Sequence, residues 1–466
     1  MIDQSTICAI STAPGVGGIA VLRLSGAEAL PIADKVFNSP KEGKRLVDQK
    51  ANTLHFGTIK ENDKIIDEVV VSIFRAPHSF TGEDVVEISC HGSQYIQQTI
   101  LQLLMKKGAR IANPGEYTQR AFLNGKMDLS QAEAVADLIA SDSAAAHKMA
   151  MNQMKGGFSK ELMNLRNELL QIVSLIELEL DFSEEEVEFA DRTQLTNLAT
   201  NISEMIQDLA GSFSLGNAIK NGVPVAIIGE TNVGKSTLLN ALLNEEKAIV
   251  SDIEGTTRDV IEDVINIEGV SFRFIDTAGI RNTKDKIESL GIERTFQKLQ
   301  QAQVVLYMMD LSRSLKENIA RLEEVREKIQ DHQEVIIVGN KADVAGKKAI
   351  DALLADLPLE RNEDICFISA KEQKNISQLR ELLLEVSNVA NLNTQDVIVS
   401  NARHYEALVK AGEAIDRVIA GIHNGISNDF VSQDIRECMH YLGEITGAIN
   451  TDEVLGNIFK NFCIGK

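Results

Sequence analysis

The sequence predicts a multidomain α/β protein in which an α+β domain comes first and a helical domain is interrupted by a doubly wound α/β domain. Three observations support this prediction. Residues 1–118 contain short apolar runs broken by glycine and proline, residues 119–221 and 386–466 have helical periodicity, and strand-like and helix-like segments alternate through residues 222–385. A length of 466 residues suits about three domains. Because helical segments flank a self-contained α/β unit, we expect that unit to be an insertion.

Local patterns predict the individual elements. A capping box at Ser130 and Glu133 predicts a helix start. An apolar seam at steps of three and four follows, and it suits either packing within one subunit, which we favour, or a coiled-coil dimer contact. The seam consists of Leu162, Leu165, Leu169, Ile172 and Ile176. The strands predicted for the parallel α/β sheet are 223–228, 271–275, 304–308, 334–338 and 365–368.

Composition limits the class of protein. A net charge of -21 disfavours a general polyanion binder, although residues 1–118 are nearly neutral and a local basic patch is still allowed. The five cysteines are scattered and never form a CxxC pair, so neither a disulfide framework nor a zinc site is expected. No secretion signal and no apolar run of about 18 residues is found, so we expect a cytoplasmic protein without membrane segments.

Residues 229–236 form a phosphate-binding loop of the pattern GxxxxGK[ST]. An apolar strand leads into the loop and a helical pattern leaves it, which is the required context. Backbone N–H groups of such a loop and the positive end of the following helix surround phosphates. We expect Lys235 to bridge the β and γ phosphates and Ser236 to bind Mg²⁺.

Later motifs identify the nucleotide as GTP. The motif at 255–259 supplies a threonine for the magnesium shell, and the motif at 276–279 reaches the γ-phosphate. The carboxylate of Asp343 can accept hydrogen bonds from two guanine N–H groups, whereas adenine would leave it unpaired. The predicted GTP contacts are Asn232, Val233, Gly234, Lys235, Ser236, Thr237, Ser251, Asp252, Ile253, Glu254, Gly255, Thr256, Thr257, Asp276, Thr277, Ala278, Gly279, Asn340, Lys341, Ala342, Asp343, Ser369, Ala370 and Lys371.

The hydrolytic step lacks an obvious residue. Ile280 stands where Ras-like enzymes carry a glutamine that orients water, so hydrolysis is either very slow or aided by another side chain. Arg258 and Arg281 are the candidates for an arginine that enters the site from the same chain. For both, however, we favour ion pairing at the surface or in a switch loop. Asn232 offers an amide oxygen suited to a monovalent cation, which would supply the charge of a missing arginine.

Over essentially its whole length the sequence resembles one family, the bacterial and organellar tRNA-modification GTPase MnmE, also called TrmE. The similarity is carried by blocks at 14–26, 79–87, 114–126 and 128–139, by the pair His91-Gly92, by the GTPase motifs, and by the end at 462–466. It implies an N-terminal tetrahydrofolate-binding domain (1–118) similar to a glycine-cleavage T protein, which also mediates homodimerisation. It further implies a helical domain in two parts (119–221 and 386–466) and a Ras-like G domain (222–385).

The resemblance also implies a function. Members of this family are potassium-dependent GTP hydrolases that form a heterotetramer with the flavoprotein MnmG. Together they add a carboxymethylaminomethyl or aminomethyl group at C5 of the wobble uridine of certain tRNAs. A tetrahydrofolate derivative, 5-formyl or 5,10-methylene, supplies the one-carbon unit, and the G domains dimerise as GTP is hydrolysed.

Residue roles follow from the same resemblance. Glu288 matches the glutamate that positions water, and Ser236 and Thr257 match the magnesium ligands. The implied potassium ligands are Asn232, Ser251, Ile253 and Thr256, and the implied folate contacts are Arg23, Glu87, Lys126 and Lys466. Cys463 matches a cysteine with a proposed part in the modification chemistry. A plain buried cysteine is the alternative, and a prenylation box fits poorly.

Cys90 and His91 are adjacent on a predicted strand, so their side chains point to opposite faces, and we interpret both as structural or ligand-lining.

The alternative function is a GTPase switch in ribosome assembly of the Era or Der type, which would require a basic RNA-binding domain. None of the four segments carries net positive charge, so the sequence favours tRNA modification.

Overall fold

The computed structural model describes residues 5–62, 64–181, 192–247, 263–275, 299–330, 332–360, 362–387, 397–449, 452–460 and 462–465. The chain divides into two compact units. The first unit contains Met1–Ile139, Met151–Ser203 and Lys410–Lys466, and the second contains Ala140–Ala150 and Glu204–Val409. Segments before and after Glu204–Val409 therefore belong to the same first unit. The boundaries at 118, 221 and 385 stay predictions.

The elements follow one another along the chain. The strands are β1 (Ile7–Ile10), β2 (Gly17–Ser25), β3 (Phe37–Asn38), β4 (Thr53–Glu61), β5 (Lys64–Phe74), β6 (Val85–Gly92), β7 (Arg110–Ile111), β8 (Val223–Gly229), β9 (Asp263–Ile267), β10 (Val270–Phe274), β11 (Val304–Asp310), β12 (Glu334–Asn340) and β13 (Glu363–Phe367). The helices are α1 (Ala29–Asp34), α2 (Gln94–Lys106), α3 (Glu116–Leu123), α4 (Leu129–Ala140), α5 (Ala144–Met154), α6 (Gly157–Asp181), α7 (Arg192–Gly211), α8 (Phe213–Asn221), α9 (Lys235–Lys247), α10 (Leu315–Arg326), α11 (Ala342–Asp356), α12 (Ile376–Val386), α13 (Ala402–His423), α14 (Asn428–Thr446) and α15 (Asp452–Lys460).

The first unit contains a seven-stranded sheet in the order β3-β4-β5-β6-β2-β1-β7. Its neighbouring strands are antiparallel except for the β1–β7 pair. Buried and accessible residues alternate along β2, β5 and β6, as a sheet with one covered face requires. On the covered face, Leu22, Ile73 and Ile88 belong to one core with Leu30 of α1 and Leu104 of α2. The mixed α+β prediction for this region is therefore confirmed.

The helical part of the first unit resolves the question of the apolar seam. All five seam residues lie on α6 and are at most 2% exposed. The helix packs against α14, which comes from the segment after the insertion. The seam is therefore packing within one subunit, and the coiled-coil alternative is not needed to bury it.

The predicted capping box is wrong by two residues. α4 begins at Leu129, so Ser130 already lies inside the helix. Asp128 caps it instead: the Gln131 N–H donates to the Asp128 carboxylate (3.0 Å), and the Asp128 N–H donates to the Gln131 side chain (2.9 Å). This reciprocal pair is the same device in Asp-x-x-Gln form. Ser130 donates to Asp128 and contacts Ser159 in the interior.

The second unit contains a six-stranded sheet in the order β13-β12-β11-β8-β10-β9. The pairs from β13 to β10 are parallel, and apolar cores lie on both faces. The five predicted strands are confirmed to within two residues at every end. The edge strand β9 was not predicted; it pairs antiparallel with β10. Its turn, Glu268-Gly269, has positive φ at both residues, which is the geometry of a tight hairpin.

Candidate functional site

The phosphate-binding loop joins β8 to α9 as the sequence predicts. Gly234 has φ +107, and a Cβ at this position would lie 2.3 Å from the amide nitrogen of Asn340. Both the left-handed backbone and this close approach therefore exclude a side chain. Asn232 has φ +62, a conformation that asparagine tolerates better than most residues, and its side chain is exposed.

Lys235 begins α9 and points its ammonium into the loop. Its Nζ donates to the carbonyl oxygens of Gly229 (2.6 Å) and Glu230 (2.7 Å). Burial lowers the pKa of Lys235 from its ordinary value. A phosphate would give this partly buried cation a charged acceptor, which forms a stronger hydrogen bond than a carbonyl.

Asn340 connects the phosphate-binding loop to the last predicted motif. Its Nδ2 donates to the Val233 carbonyl (2.8 Å), and its Oδ1 accepts from the Ala370 N–H (3.0 Å). The side chain is only 4% exposed. One buried amide therefore holds together two loops that would face the phosphates and the base of a nucleotide.

Asp343 lies in the first turn of α11 beside Ser369. A hydrogen bond from the Ser369 side chain holds the pKa of Asp343 below its ordinary value. The carboxylate is therefore in its charged, accepting form near neutral pH, as recognition of guanine N–H groups requires.

An acidic residue at the end of β11 was missed by the sequence reasoning. Burial alone would raise the pKa of Asp310, but hydrogen bonds from Lys341 and Ser312 outweigh it and lower that pKa. The Lys341 Nζ lies 2.6 Å from an Asp310 oxygen. The position of Asp310 at the carboxyl end of a parallel strand could have marked it as a site residue, because ligand-binding residues collect at the carboxyl ends of such strands.

A second unpredicted contact fixes the start of the phosphate-binding loop. Glu230 forms ion pairs with both Arg313 and Arg321. Arg313 lies just before α10 and Arg321 lies within it, so this helix is tied to the loop. No local pattern in the sequence pairs residues so far apart in the chain.

In the first unit, the predicted folate contacts lie on and beside the open face of the sheet. Arg23 on β2 and Glu87 on β6 are register partners, and the guanidinium Nε lies 2.9 Å from the carboxylate. The guanidinium lies over the rings of Phe80 and Tyr117, at 5.7 and 5.6 Å from their centroids. Cation–π contacts of this kind hold an arginine in place while its remaining donors stay available.

Lys126 and the carboxyl-terminal tail lie on other parts of the same unit. The Lys126 Nζ donates to the Pro77 carbonyl (3.0 Å), close to the loop that carries Phe80. The tail contacts β1 and the start of α3: the Cys463 carbonyl accepts from the Gly115 N–H (3.3 Å), and the Gly465 carbonyl from Ser11 (3.1 Å). Cys463 is exposed, so the alternative of a plain buried cysteine is wrong.

Several predicted residues lie outside the described part of the chain. They are Ser251, Asp252, Ile253, Glu254, Gly255, Thr256, Thr257, Arg258, Asp276, Thr277, Ala278, Gly279, Ile280, Arg281, Glu288 and Lys466. Their roles stay predictions.

Comparison with known proteins decides the family. A family model described as the MnmE helical domain matches residues 129–463, and one described as the GTP-binding protein TrmE N-terminus matches residues 6–126. A tRNA modification GTPase MnmE of Parabacteroides distasonis is 61% identical over 465 residues, which cover 99% of this chain and all of that protein. This chain belongs to the MnmE family of tRNA modification GTPases.

Other relatives agree over the full length. The MnmE proteins of Bacteroides thetaiotaomicron and Flavobacterium johnsoniae are 59% and 54% identical, and in both cases all of this chain and all of the relative are covered. A solved structure of Era with MgGDPNP and a 16S ribosomal RNA segment is 32% identical and covers 41% of this chain and 66% of that chain. Its TM-score is 0.27. The family therefore favours tRNA modification over the ribosome-assembly alternative.

Proposed function

We propose that this chain is a potassium-dependent GTP hydrolase that acts with the flavoprotein MnmG on C5 of the wobble uridine of certain tRNAs. The group added is carboxymethylaminomethyl or aminomethyl, and a tetrahydrofolate derivative supplies its one-carbon unit. The observation that carries the GTPase part is the Asn340 amide, which ties the phosphate-binding loop to the Ser369–Ala370 loop beside Asp343. Family membership supports the tRNA part of the proposal.

Each part of the GTP site has a task in this proposal. Asp343 accepts the guanine N–H groups, and Lys235 moves from its two carbonyl partners to the β and γ phosphates. Ser236, at the start of α9, fits as a magnesium ligand because a hydroxyl oxygen beside the phosphates suits this hard cation, and Thr257 would be the second protein ligand. When bound, Mg²⁺ neutralises charge that develops on the phosphate oxygens.

The predicted potassium site begins at Asn232. Its side chain is exposed on a loop residue with left-handed backbone, and it offers an amide oxygen of the type that coordinates alkali cations. Ser251, Ile253 and Thr256 are proposed to complete the site, and Glu288 is proposed to position the attacking water. A cation beside the phosphates would supply the positive charge that an arginine provides in related enzymes.

The residues proposed for folate binding fit the chemistry of that ligand. Arg23 and Glu87 present adjacent donors and acceptors for a ring rich in N–H and carbonyl groups. Phe80, which is 37% exposed beside Arg23, offers an aromatic surface. Lys126 and Lys466 would add positive charge beside this anionic ligand.

The surface of the first unit supports a homodimer. Leu54, Phe56 and Val70 lie on β4 and β5, with Phe56 and Val70 as register partners, and they are 70%, 56% and 38% exposed. Adjacent exposed apolar side chains of this size commonly mark protein contacts. We propose that this face joins two copies, while the partnership with MnmG rests on the family resemblance alone.

Among the described residues, no helix combines the length and apolar character needed to cross a membrane. We propose a cytoplasmic location.

The decisive experiment replaces Asp343 in a strain that lacks the chromosomal gene. Mass spectrometry of the wobble uridine should show the C5 modification restored by the wild-type chain and lost with Asp343→Asn. The purified variant should prefer xanthosine triphosphate, because xanthine has a carbonyl where guanine has the amine, and an asparagine amide can donate to it.

Asp356→Asn is the matched control, since Asp356 is exposed at the opposite end of α11. It should restore the modification fully. Unchanged tRNA in the deletion strain, or full modification with GTP by Asp343→Asn, would contradict the proposal.

A further inference from the structure

A histidine on the open face of the first sheet has the features of a ligand contact. His91 lies on β6, and its side chain is 68% exposed. Its Nδ1 lies 2.7 Å from an oxygen of Asp67, and its backbone N–H donates to the other oxygen of the same carboxylate (2.8 Å). The Asp67 side chain is 8% exposed. A nearly buried carboxylate thus fixes both the backbone and the ring of an exposed histidine.

This pairing decides which ring nitrogen is available. An ionised carboxylate only accepts hydrogen bonds, so Nδ1 must be the donor to Asp67. In the neutral ring, the proton is then on Nδ1, and Nε2 carries the free lone pair. The exposed edge of the ring therefore presents a hydrogen-bond acceptor in a fixed orientation.

The strand register places this acceptor on the same face as the proposed folate contacts. Arg23 pairs with Glu87, and Ile19 pairs with His91, so these residues lie on one face of the β2–β6 ribbon. The intervening positions of both strands, among them Leu22 and Cys90, are buried in the core on the other face. Glu87 and His91 are four residues apart on one strand, a separation of about 13 Å.

The backbone opposite His91 is irregular and rich in glycine. β2 has an irregularity opposite His91, where Gly17 pairs with Gly92 and Ile19 with His91, which leaves Gly18 unpaired. Gly17 and Gly18 are exposed. A Cβ on Gly92 would lie 2.3 Å from the Gly17 carbonyl, so this approach requires glycine. Bulges of this kind re-aim side chains and occur often beside functional sites.

We propose that His91 is a further binding residue for the folate, with Asp67 as its positioning residue. The Nε2 of His91 accepts a hydrogen bond from an N–H group of the ligand whose other end lies against Arg23 and Glu87. A reduced folate is an elongated chain of a fused ring, a benzoyl ring and a glutamate, with N–H groups along its length, and it can span the distance. This inference rests on the proposed folate-binding function.

The test uses two replacements of His91 that separate its two contacts. His91→Asn keeps a short amide that can donate to Asp67 but has nothing at the position of Nε2. His91→Gln places an amide oxygen near that position. The full-length protein and its variants are titrated with (6S)-5-formyl-tetrahydrofolate by calorimetry, and each melting temperature is measured to detect loss of structure.

We expect His91→Asn to weaken folate binding about three- to tenfold, the value of one hydrogen bond, without lowering the melting temperature. His91→Gln should recover part of this loss. Asp67→Asn should also weaken binding, because an amide no longer imposes the same ring tautomer.

Arg23→Ala separates failure of this inference from failure of the folate proposal. If Arg23→Ala weakens binding and His91→Asn does not, the inference about His91 is wrong and the folate site stands. If the wild-type chain does not bind the probe, both fail. If folate binding needs His91 but not Arg23, the two residues do not share one site and the inference is wrong. If His91→Asn weakens folate binding and also lowers the melting temperature, the role of His91 is structural and the inference is wrong.

Discussion

Replacement of Asn340 by alanine tests the central contact of the nucleotide site. The side chain makes two buried hydrogen bonds, 2.8 Å to the Val233 carbonyl and 3.0 Å to the Ala370 N–H. Val233 and Ala370 are 1% and 3% exposed, so water cannot easily replace the lost partner. Leaving a buried polar group unpaired costs about 1–3 kcal/mol. Two such groups give at least about 2 kcal/mol.

This cost should appear in nucleotide affinity. Without Asn340 the two loops no longer hold each other in position, and a bound nucleotide must restore their arrangement. A loss of about 2 kcal/mol corresponds to a Kd for GDP raised about 30-fold. Titration with a fluorescent GDP analogue measures this constant directly.

Asn362→Ala is the matched control. The Asn362 side chain donates to the Gln333 carbonyl (2.6 Å). Gln333 directly precedes β12, whereas Asn340 is the last residue of that strand, so the two contacts lie at opposite ends of β12. We expect it to lower the melting temperature slightly and to leave GDP affinity unchanged. The reasoning fails if Asn340→Ala binds GDP within about threefold of wild type, or if both variants weaken GDP equally.

Three further predictions concern hydrolysis, the cation and the thiols. Glu288→Ala should abolish GTP hydrolysis with nucleotide affinity nearly intact, because the side chain is assigned to the water and not to the nucleotide; a large loss of GDP binding in the same titration would refute that role. Exchange of potassium for sodium should slow turnover in a phosphate-release assay, and Asn232→Ala should remove the difference between the two salts; equal wild-type rates would end the cation argument. Iodoacetamide at pH 8 should modify the exposed Cys463 first, as peptide mass spectrometry can show, since burial raises the pKa of the other thiols to about 11 or 12 and keeps them protonated at that pH; those thiols are Cys8, Cys90, Cys366 and Cys438. In guanidinium all five should react, and early labelling of any buried cysteine in the folded protein would contradict the burial described.

Much of the second unit could be predicted from the sequence because its signals are local. Each central strand is a short apolar run, and the nucleotide motifs follow directly at the strand ends. β9 was missed because Asp263 and Asn266 interrupt its short apolar run, although the Glu268-Gly269 turn just before the predicted strand β10 indicates a hairpin. The helix start near Ser130 was misplaced because Asp128 offers a competing cap two residues earlier.

The sequence by itself determined which residues form the phosphate-binding loop, which base the bound nucleotide carries, and which family the chain resembles. Those conclusions depend on residue types at fixed short spacings. Only the tertiary structure decided that Asn340 joins Val233 to Ala370, that Arg313 and Arg321 hold Glu230, and that Asp67 orients His91. These contacts join residues from 24 to 107 positions apart. Strand order and register bring such residues together, and no local pattern of side chains specifies either one.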